Sequence, residues 1–252
     1  MNVVLITGAS RGLGAAVARI LAEMDTAVVL NARSAKPLYE LMAEIEANGG
    51  MALALPGDVG QLDTCRWLVA ETIETFGRLD AIIHNAAVID PIAPIAEADP
   101  QAWQTAVSVN LLGPVWLTQA ALPHLRRQQG RVISVSSGAA DYGIPGWGAY
   151  CATKGALNQF SRVLAEEEER VTAVAVRPGV VDTVMQNEIR EKGATGMTVQ
   201  AHSRFMEMHE QGNLLPPEKP GRAIALLALR APREWNGRFL SWDDPDIATL
   251  NS

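Results

Sequence analysis

The chain has 252 residues, of which 48% are hydrophobic and 19% charged, enough apolar side chain to offset the ordering entropy of a compact fold and unlike a disordered composition. Against 28 Asp and Glu stand 21 Lys and Arg, a formal charge of −7 that argues against a phosphate-neutralising surface and hence against a nucleic-acid partner. Cys65 and Cys151 have no disulfide or metal-ligand spacing, no run reaches the ~20 apolar residues that span a bilayer, and the first strand follows Met1 too closely for a signal sequence; a soluble cytoplasmic protein without a membrane partner is expected.

Short apolar runs alternate with helical periodicity along the chain. Strands are predicted at Val3 to Ile6, Ala27 to Leu30, Ala52 to Leu55, Ala81 to His84, Val132 to Val135 and Val171 to Val176. The segments between them read as helices over Leu13 to Met24, Leu38 to Asn48, a stretch ending at Phe76, Ala102 to Gln129 and Ala149 to Glu169. A helix from Pro217 to Leu229, opened by proline where its missing N–H does no harm, precedes a seventh strand at Phe239 to Ser241. This βαβ order predicts an α/β fold, a doubly wound parallel sheet with helices on both faces and ligands at the carboxyl ends of its strands. One domain is expected over residues 1–252. The segment Asp182 to Gly212, with four methionines and three glycines, departs from the rhythm and reads as an inserted lobe covering an apolar site. The run Glu166 to Glu169 reads as a solvated helix end, and Arg126, Arg127 and Arg131 as exposed.

Directly after the first strand comes Thr7-Gly8-Ala9-Ser10-Arg11-Gly12-Leu13-Gly14, leading into a helix. Glycines at such a turn admit the backbone close to a pyrophosphate, whose charge meets the helix N-terminus. The second strand ends in Asn31-Ala32-Arg33-Ser34 with no carboxylate for ribose hydroxyls; Arg33, with Arg11 beside it, offers guanidinium forks suited to a 2′-phosphate, pointing to NADP(H) rather than NAD.

Further along, Ser137 ends a predicted strand, and Tyr150 and Lys154, four apart, share one face of the next helix. A phenol of pKa ~10 is a poor proton relay at neutral pH, and an adjacent ammonium is expected to favour its ionised form. Ser137 would hold a substrate oxygen while Tyr150 protonates it.

Together these residues resemble the short-chain dehydrogenase/reductase family over nearly the whole chain, with its Thr-Gly-x3-Gly-x-Gly turn, mid-chain asparagine, serine and Tyr-x3-Lys. Ser136-Ser137, Trp147 to Asn158 and Pro178 to Gln186 are similar to the benzil reductase and sepiapterin-reductase-like branch. The resemblance implies a Rossmann fold and a catalytic tetrad completed by Asn110, which would kink its helix and hold a water toward Lys154. It further implies that Asp58 and Val59 receive the adenine, that Asn85 and Ala86 line the nucleotide cleft, that Pro178, Gly179, Val181 and Thr183 border the nicotinamide, with Val181 and Thr183 at its carboxamide, and that Lys154 touches the ribose. Ala87 departs from the family, which usually has glycine there. A homodimer or homotetramer paired through the two long helices is implied as well.

Trp147, Tyr142, Ile144 and Met185 are candidates for the substrate pocket, favouring a bulky, flat, apolar carbonyl compound such as an aromatic ketone or vicinal diketone. Alternatives are a pteridine side-chain ketone, with Asp243 or Asp244 near its ring, a 3-ketoacyl group on a carrier protein, and a catalytically silent NADP-binding sensor. The four histidines form no metal-ligand pattern, and no metal is expected.

Overall fold

A computed structural model describes residues 1–251. Its seven strands are β1 (Asn2–Thr7), β2 (Thr26–Ala32), β3 (Ala52–Pro56), β4 (Ala81–His84), β5 (Arg131–Val135), β6 (Thr172–Arg177) and β7 (Phe239–Ser241). They form one sheet in the order β3-β2-β1-β4-β5-β6-β7, every neighbouring pair parallel. The doubly wound sheet expected from the sequence is therefore present. Its strands are unbroken apolar runs because both faces are covered. Alternate residues serve opposite cores: Val4 and Ile6 of β1 pack with α1 (Gly12–Glu23) and α9 (Glu218–Arg230), whereas Val3 and Leu5 pack with α3 (Leu62–Phe76) and α5 (Gly113–Gln128). Each such fully buried Val, Leu or Ile contributes about 1.5–3 kcal/mol relative to exposure. Chain order reverses between β1 and β4, so the loops leaving their carboxyl ends diverge and open a crevice there.

Three sequence expectations need correction. The helix anticipated over Ala102 to Gln129 is two helices, α4 (Pro100–Val107) and α5, joined by a π-helical turn at Ser108–Leu112, where the Gly113 N–H reaches back to the Ser108 carbonyl. The one additional residue in that turn leaves the apolar periodicity on either side readable, which hides the break. The acidic run is not simply solvated. Helix α6 (Gly148–Glu167) ends within it, and Glu168 folds back with its side chain 9% exposed onto Arg126, whose Nε donates to Oε2 at 2.8 Å. Arg126 is thereby a partner in an ion pair, and Arg131 is half-buried with Nε on the Ala231 carbonyl at 3.0 Å.

The lobe contains two helices, α7 (Val184–Gly196) and α8 (Val199–Glu210), the second capped by Thr198, whose hydroxyl accepts from the Ala201 N–H. Glycines fasten it to the body. A Cβ on Gly196 would fall 1.8 Å from the Ile92 carbonyl oxygen, and one on Gly146, at φ +88°, would fall 2.3 Å from the Gly196 carbonyl oxygen. Lys192 pairs with Asp90 at 2.5 Å across the same seam. Among the described residues no helix is long and apolar enough to cross a membrane.

Candidate active site

Loops at the carboxyl ends of β1, β2, β4, β5 and β6, closed over by the lobe, enclose a cleft of about 710 Å³. Its floor begins at the glycine turn. Gly8 takes φ +67°, and a Cβ on Gly14 would lie 2.3 Å from the Gly8 carbonyl oxygen, so the turn folds flat onto the start of α1 only without side chains. Asn85, the residue after β4, braces it: Nδ2 donates to the carbonyls of Thr7 (2.9 Å) and Gly8 (3.0 Å). The Thr7 hydroxyl in turn accepts from the Asn85 and Ala86 N–H groups, each at 3.1 Å. Asn85 thus shapes the cleft as well as lining it. Asn31 does the equivalent for the adjoining loop, donating to Leu55 and Gly57 and so presenting Asp58 and Val59.

These residues fit a dinucleotide. The N-cap of α1, Arg11, makes no side-chain cap, and the first turn holds no acid, which leaves the helix N-terminal N–H groups available to an anion. Ser10, Arg11, Gly12 and Leu13 border the cleft on one side; Ala32, Arg33 and Ser34 border it at the end of β2, with both guanidiniums exposed. Opposite them lie Pro178, Gly179, Val181 and Thr183, the last with its methyl 3.1 Å from where a Gly12 Cβ would stand.

The three residues singled out for proton chemistry meet at the inner end. Tyr150 and Lys154 lie on α6, buried at 7% and 2% exposure, with Nζ 5.5 Å from the phenol ring centroid. Lys154 Nζ donates to the Val135 carbonyl at 2.6 Å. Ser137 follows β5 and opens a short 3₁₀ turn, Gly138–Ala140, its Oγ accepting from the Ala139 N–H. Burial pushes the Tyr150 phenol up to about 12, against a smaller downward pull from its hydrogen bond with Ser137. Burial also pushes the Lys154 ammonium down to about 8. The expectation that Lys154 holds the phenol below its ordinary value is therefore not met here, because desolvation dominates at Tyr150 and the ammonium's hydrogen bond goes to Val135.

Asn110 sits in the π-helical turn, fully buried. Its Oδ1 accepts from the Val88 N–H (2.8 Å), and Nδ2 donates to the Val88 carbonyl (2.9 Å) and the Thr153 hydroxyl (3.2 Å). Thr153 Oγ1 donates to the Tyr150 carbonyl at 3.0 Å, so Asn110 reaches α6 one residue before Lys154 and, through that hydroxyl, the Tyr150 backbone. Behind them, burial and the Lys154 charge push His84 down to about 3; it is a neutral imidazole bonded through Nε2 to Thr118.

Beyond Tyr150 the wall is apolar. Trp147 meets the Tyr150 ring edge-on at 5.7 Å and stacks on Phe205 of α8 at 5.1 Å. Ile89, Ile92 and Ile189 complete the cluster, with Ile144, Met185, Val180 and Met197 packed around it. Tyr142 stands half-exposed at the mouth. Ile89 and Phe205 escaped the sequence reading, and Gln186 entered it only as the end of a family-like stretch, with no site role. Phe205 lies in a weakly periodic lobe, whereas Thr183-x-x-Gln186 carries a helix-start pattern. At the rim, Asp243 borders the cleft and accepts from Ser241, while Asp244 caps α10 (Pro245–Ala248) by accepting from the Asp246 N–H. No group of three or more His, Cys, Asp or Glu suited to a metal occurs among the described residues.

A family model described as short chain dehydrogenase matches residues 2–194. An uncharacterized oxidoreductase of Saccharomyces cerevisiae is 37% identical over 98% of this chain and 98% of its own length, and its crystal structure superposes with a TM-score of 0.95 at 36% identity, covering 99% of each chain. A benzil reductase of the same yeast that forms (S)-benzoin is 36% identical over 99% of this chain and 98% of its own length. A Bacillus cereus benzil reductase is 37% identical over 89% and 92%. This chain belongs to the short-chain dehydrogenase/reductase family. It is an oxidoreductase of the nicotinamide-cofactor type acting on small molecules.

Proposed function

We propose that the protein is an NADPH-dependent carbonyl reductase acting on a bulky aromatic ketone or vicinal diketone. One observation carries this reading: a buried phenol, with Ser137 beside it and backed by the Lys154 ammonium, lies at the junction of the nucleotide cradle and an aromatic, aliphatic wall. The names of the benzil reductases similar over nine-tenths or more of their length support the substrate class.

Residues 1–252 form one nucleotide-binding domain in this reading, with 182–212 as the substrate-covering lobe. The glycine turn and the start of α1 hold the pyrophosphate, Asp58 and Val59 the adenine, Val181 and Thr183 the carboxamide. Arg33 and Arg11 select the 2′-phosphate by bidentate, charge-assisted bonds. The bound dinucleotide supplies the hydride. Everything else falls to the chain. Ser137 donates to the substrate oxygen and fixes it beside the Tyr150 hydroxyl. Tyr150, held protonated well above neutral pH, gives its proton to that oxygen as negative charge develops on it. Lys154, charged below a pH of about 8, stabilises the phenolate left behind, and Asn110, anchored to α6 through Thr153, would hold a water toward Lys154 through which the proton is restored from solvent. Pairing through α5 and α6 into a homodimer or homotetramer belongs to the same reading.

Asp243 at the mouth favours one second reading, a pteridine ketone whose ring amino groups meet that carboxylate; Asp244 is already committed to α10. Following NADPH oxidation with benzil, an aromatic monoketone and sepiapterin tests both. Turnover of the first two supports the proposal, turnover of sepiapterin alone supports the rival, and none on any diketone or aromatic ketone overturns it.

A further inference from the structure

A tight turn ties Tyr142 to Ser137. Ser137 opens the 3₁₀ turn Gly138–Ala140, its Oγ accepting from the Ala139 N–H at 3.2 Å and its carbonyl from the Ala140 N–H at 3.1 Å. The Gly138 carbonyl then accepts from the Asp141 N–H at 3.0 Å, and the chain doubles back to lay the Tyr142 ring on Gly138. A Cβ at Gly138 would fall 2.7 Å from the Tyr142 Oη and 3.2 Å from Cε1 and Cζ. The hydroxyl end of the ring therefore rests on the residue after Ser137, and only glycine leaves room for it there. Cys151 Sγ, one residue beyond Tyr150, reaches the Tyr142 carbonyl at 3.9 Å and fixes the far end of the loop to α6.

The neighbours of this hydroxyl belong to the substrate end of the cleft. Ala139 and Ile144, on either side of Tyr142 in the same loop, pack in the apolar cluster of Trp147, Tyr150 and Phe205. Gly138 and Tyr142 both border the cleft. Tyr142 is 52% exposed, and its hydroxyl makes no hydrogen bond with any described residue. A half-exposed donor exchanges water for a ligand oxygen without the desolvation penalty of a buried one. Consecutive Cα atoms are about 3.8 Å apart, the scale that separates the two oxygens of a vicinal diketone. One oxygen held at Ser137 and Tyr150 thus leaves the other beside Gly138, where the Tyr142 hydroxyl stands.

We propose that Tyr142 is a specificity-determining residue: its phenolic O–H donates to the second carbonyl oxygen of a vicinal diketone whose first carbonyl oxygen lies between Ser137 and Tyr150. The inference rests on the carbonyl-reductase reading above and adds the group that separates diketones from plain ketones. A site that hydrogen-bonds a substrate oxygen discriminates against the analogue lacking it.

The test compares wild type, Tyr142→Phe and Tyr142→Leu on benzil and on deoxybenzoin, in which a methylene replaces one carbonyl. Both compounds carry the same two phenyl rings, so stacking on the Tyr142 ring acts on both and cancels in the ratio of their kcat/KM values. If deoxybenzoin binds without turnover, its inhibition constant against benzil is compared with the KM of benzil instead. The expected result is a benzil-to-deoxybenzoin ratio about tenfold below wild type in Tyr142→Phe, which deletes only the hydroxyl, and a similar fall in Tyr142→Leu. A ratio preserved in Tyr142→Phe overturns the inference and leaves the reductase reading intact, even if Tyr142→Leu lowers it, since the ring then acts without its hydroxyl. Absence of wild-type turnover on both compounds removes the reductase reading itself and the inference with it.

Discussion

Lys154 is among the largest fully buried side chains and carries an ammonium, so its replacement by methionine should stabilise the protein while removing its activity. An unfolded lysine titrates at 10.5, whereas burial pushes this one down to about 8. At about 1.36 kcal/mol per pH unit, keeping it charged in the folded state costs about 3 kcal/mol at pH 7. Methionine removes that cost and also the bond to the Val135 carbonyl, worth about 1 kcal/mol. The net gain for Lys154→Met is about 2 kcal/mol at pH 7, a Tm increase of about 4–8 °C for a chain of this length. The advantage fades with pH in a defined window. Below about 8 the lysine is charged in both folded and unfolded chains and the full cost applies; between about 8 and 10.5 the folded protein has released its proton while the unfolded chain retains it, so wild-type stability rises with pH. By pH 9.5 the advantage of the variant should shrink to within about 0.5 kcal/mol. Urea unfolding of both proteins at pH 7 and 9.5, at one protein concentration, measures this. Cys65 and Tyr150, pushed up by burial, act equally in both and cancel. An advantage that is the same at both pH values, or a variant less stable than wild type at pH 7, would refute the reasoning.

Other substitutions separate proton transfer, cofactor choice and lobe docking. Tyr150→Phe deletes the proton but little surface, so reduction should drop by at least about a thousandfold with NADPH affinity within a factor of about two; stopped-flow turnover and fluorescence titration check the two halves. Arg33→Ala should weaken NADPH binding by about tenfold or more and leave NADH unaffected, and an unchanged NADPH-to-NADH preference in titrations removes the phosphate assignment. Gly196→Ala places a methyl where the Ile92 carbonyl already stands. The lobe should undock, seen as faster tryptic cleavage within 184–210 and a ketone KM raised by about tenfold, with NADPH affinity retained.

The strands were legible because a sheet covered on both faces demands unbroken apolar runs, and Ala81 to His84 and Phe239 to Ser241 match their structural bounds. The glycine turn and the Tyr150, Lys154 spacing could be read because each depends on neighbours in sequence. What depends on distant packing could not. Spacing places an ammonium beside the phenol but is silent on the burial that raises one group and lowers the other. Glu168 hides within an acidic run until the chain folds it against Arg126, contributed by a helix earlier in sequence. In the lobe, the close backbone approaches of Gly196 to Ile92 and of Gly146 to Gly196, which seat α7 on the body, leave no periodic trace in the sequence.

The wide turn at Ser108–Leu112 also constrains how this protein can change. One surplus residue in a helix rotates all that follows by about 100°, and Leu117, Ala121 and Leu125 meet the sheet only in that rotated setting. Deleting the surplus would restore a regular helix, but it would also swing those three side chains off the sheet as Asn110 left the interior. The inward asparagine and the packing of an entire helix are thus committed to the same irregularity, and a lineage that discarded that asparagine by deletion would have to rebuild its core to survive.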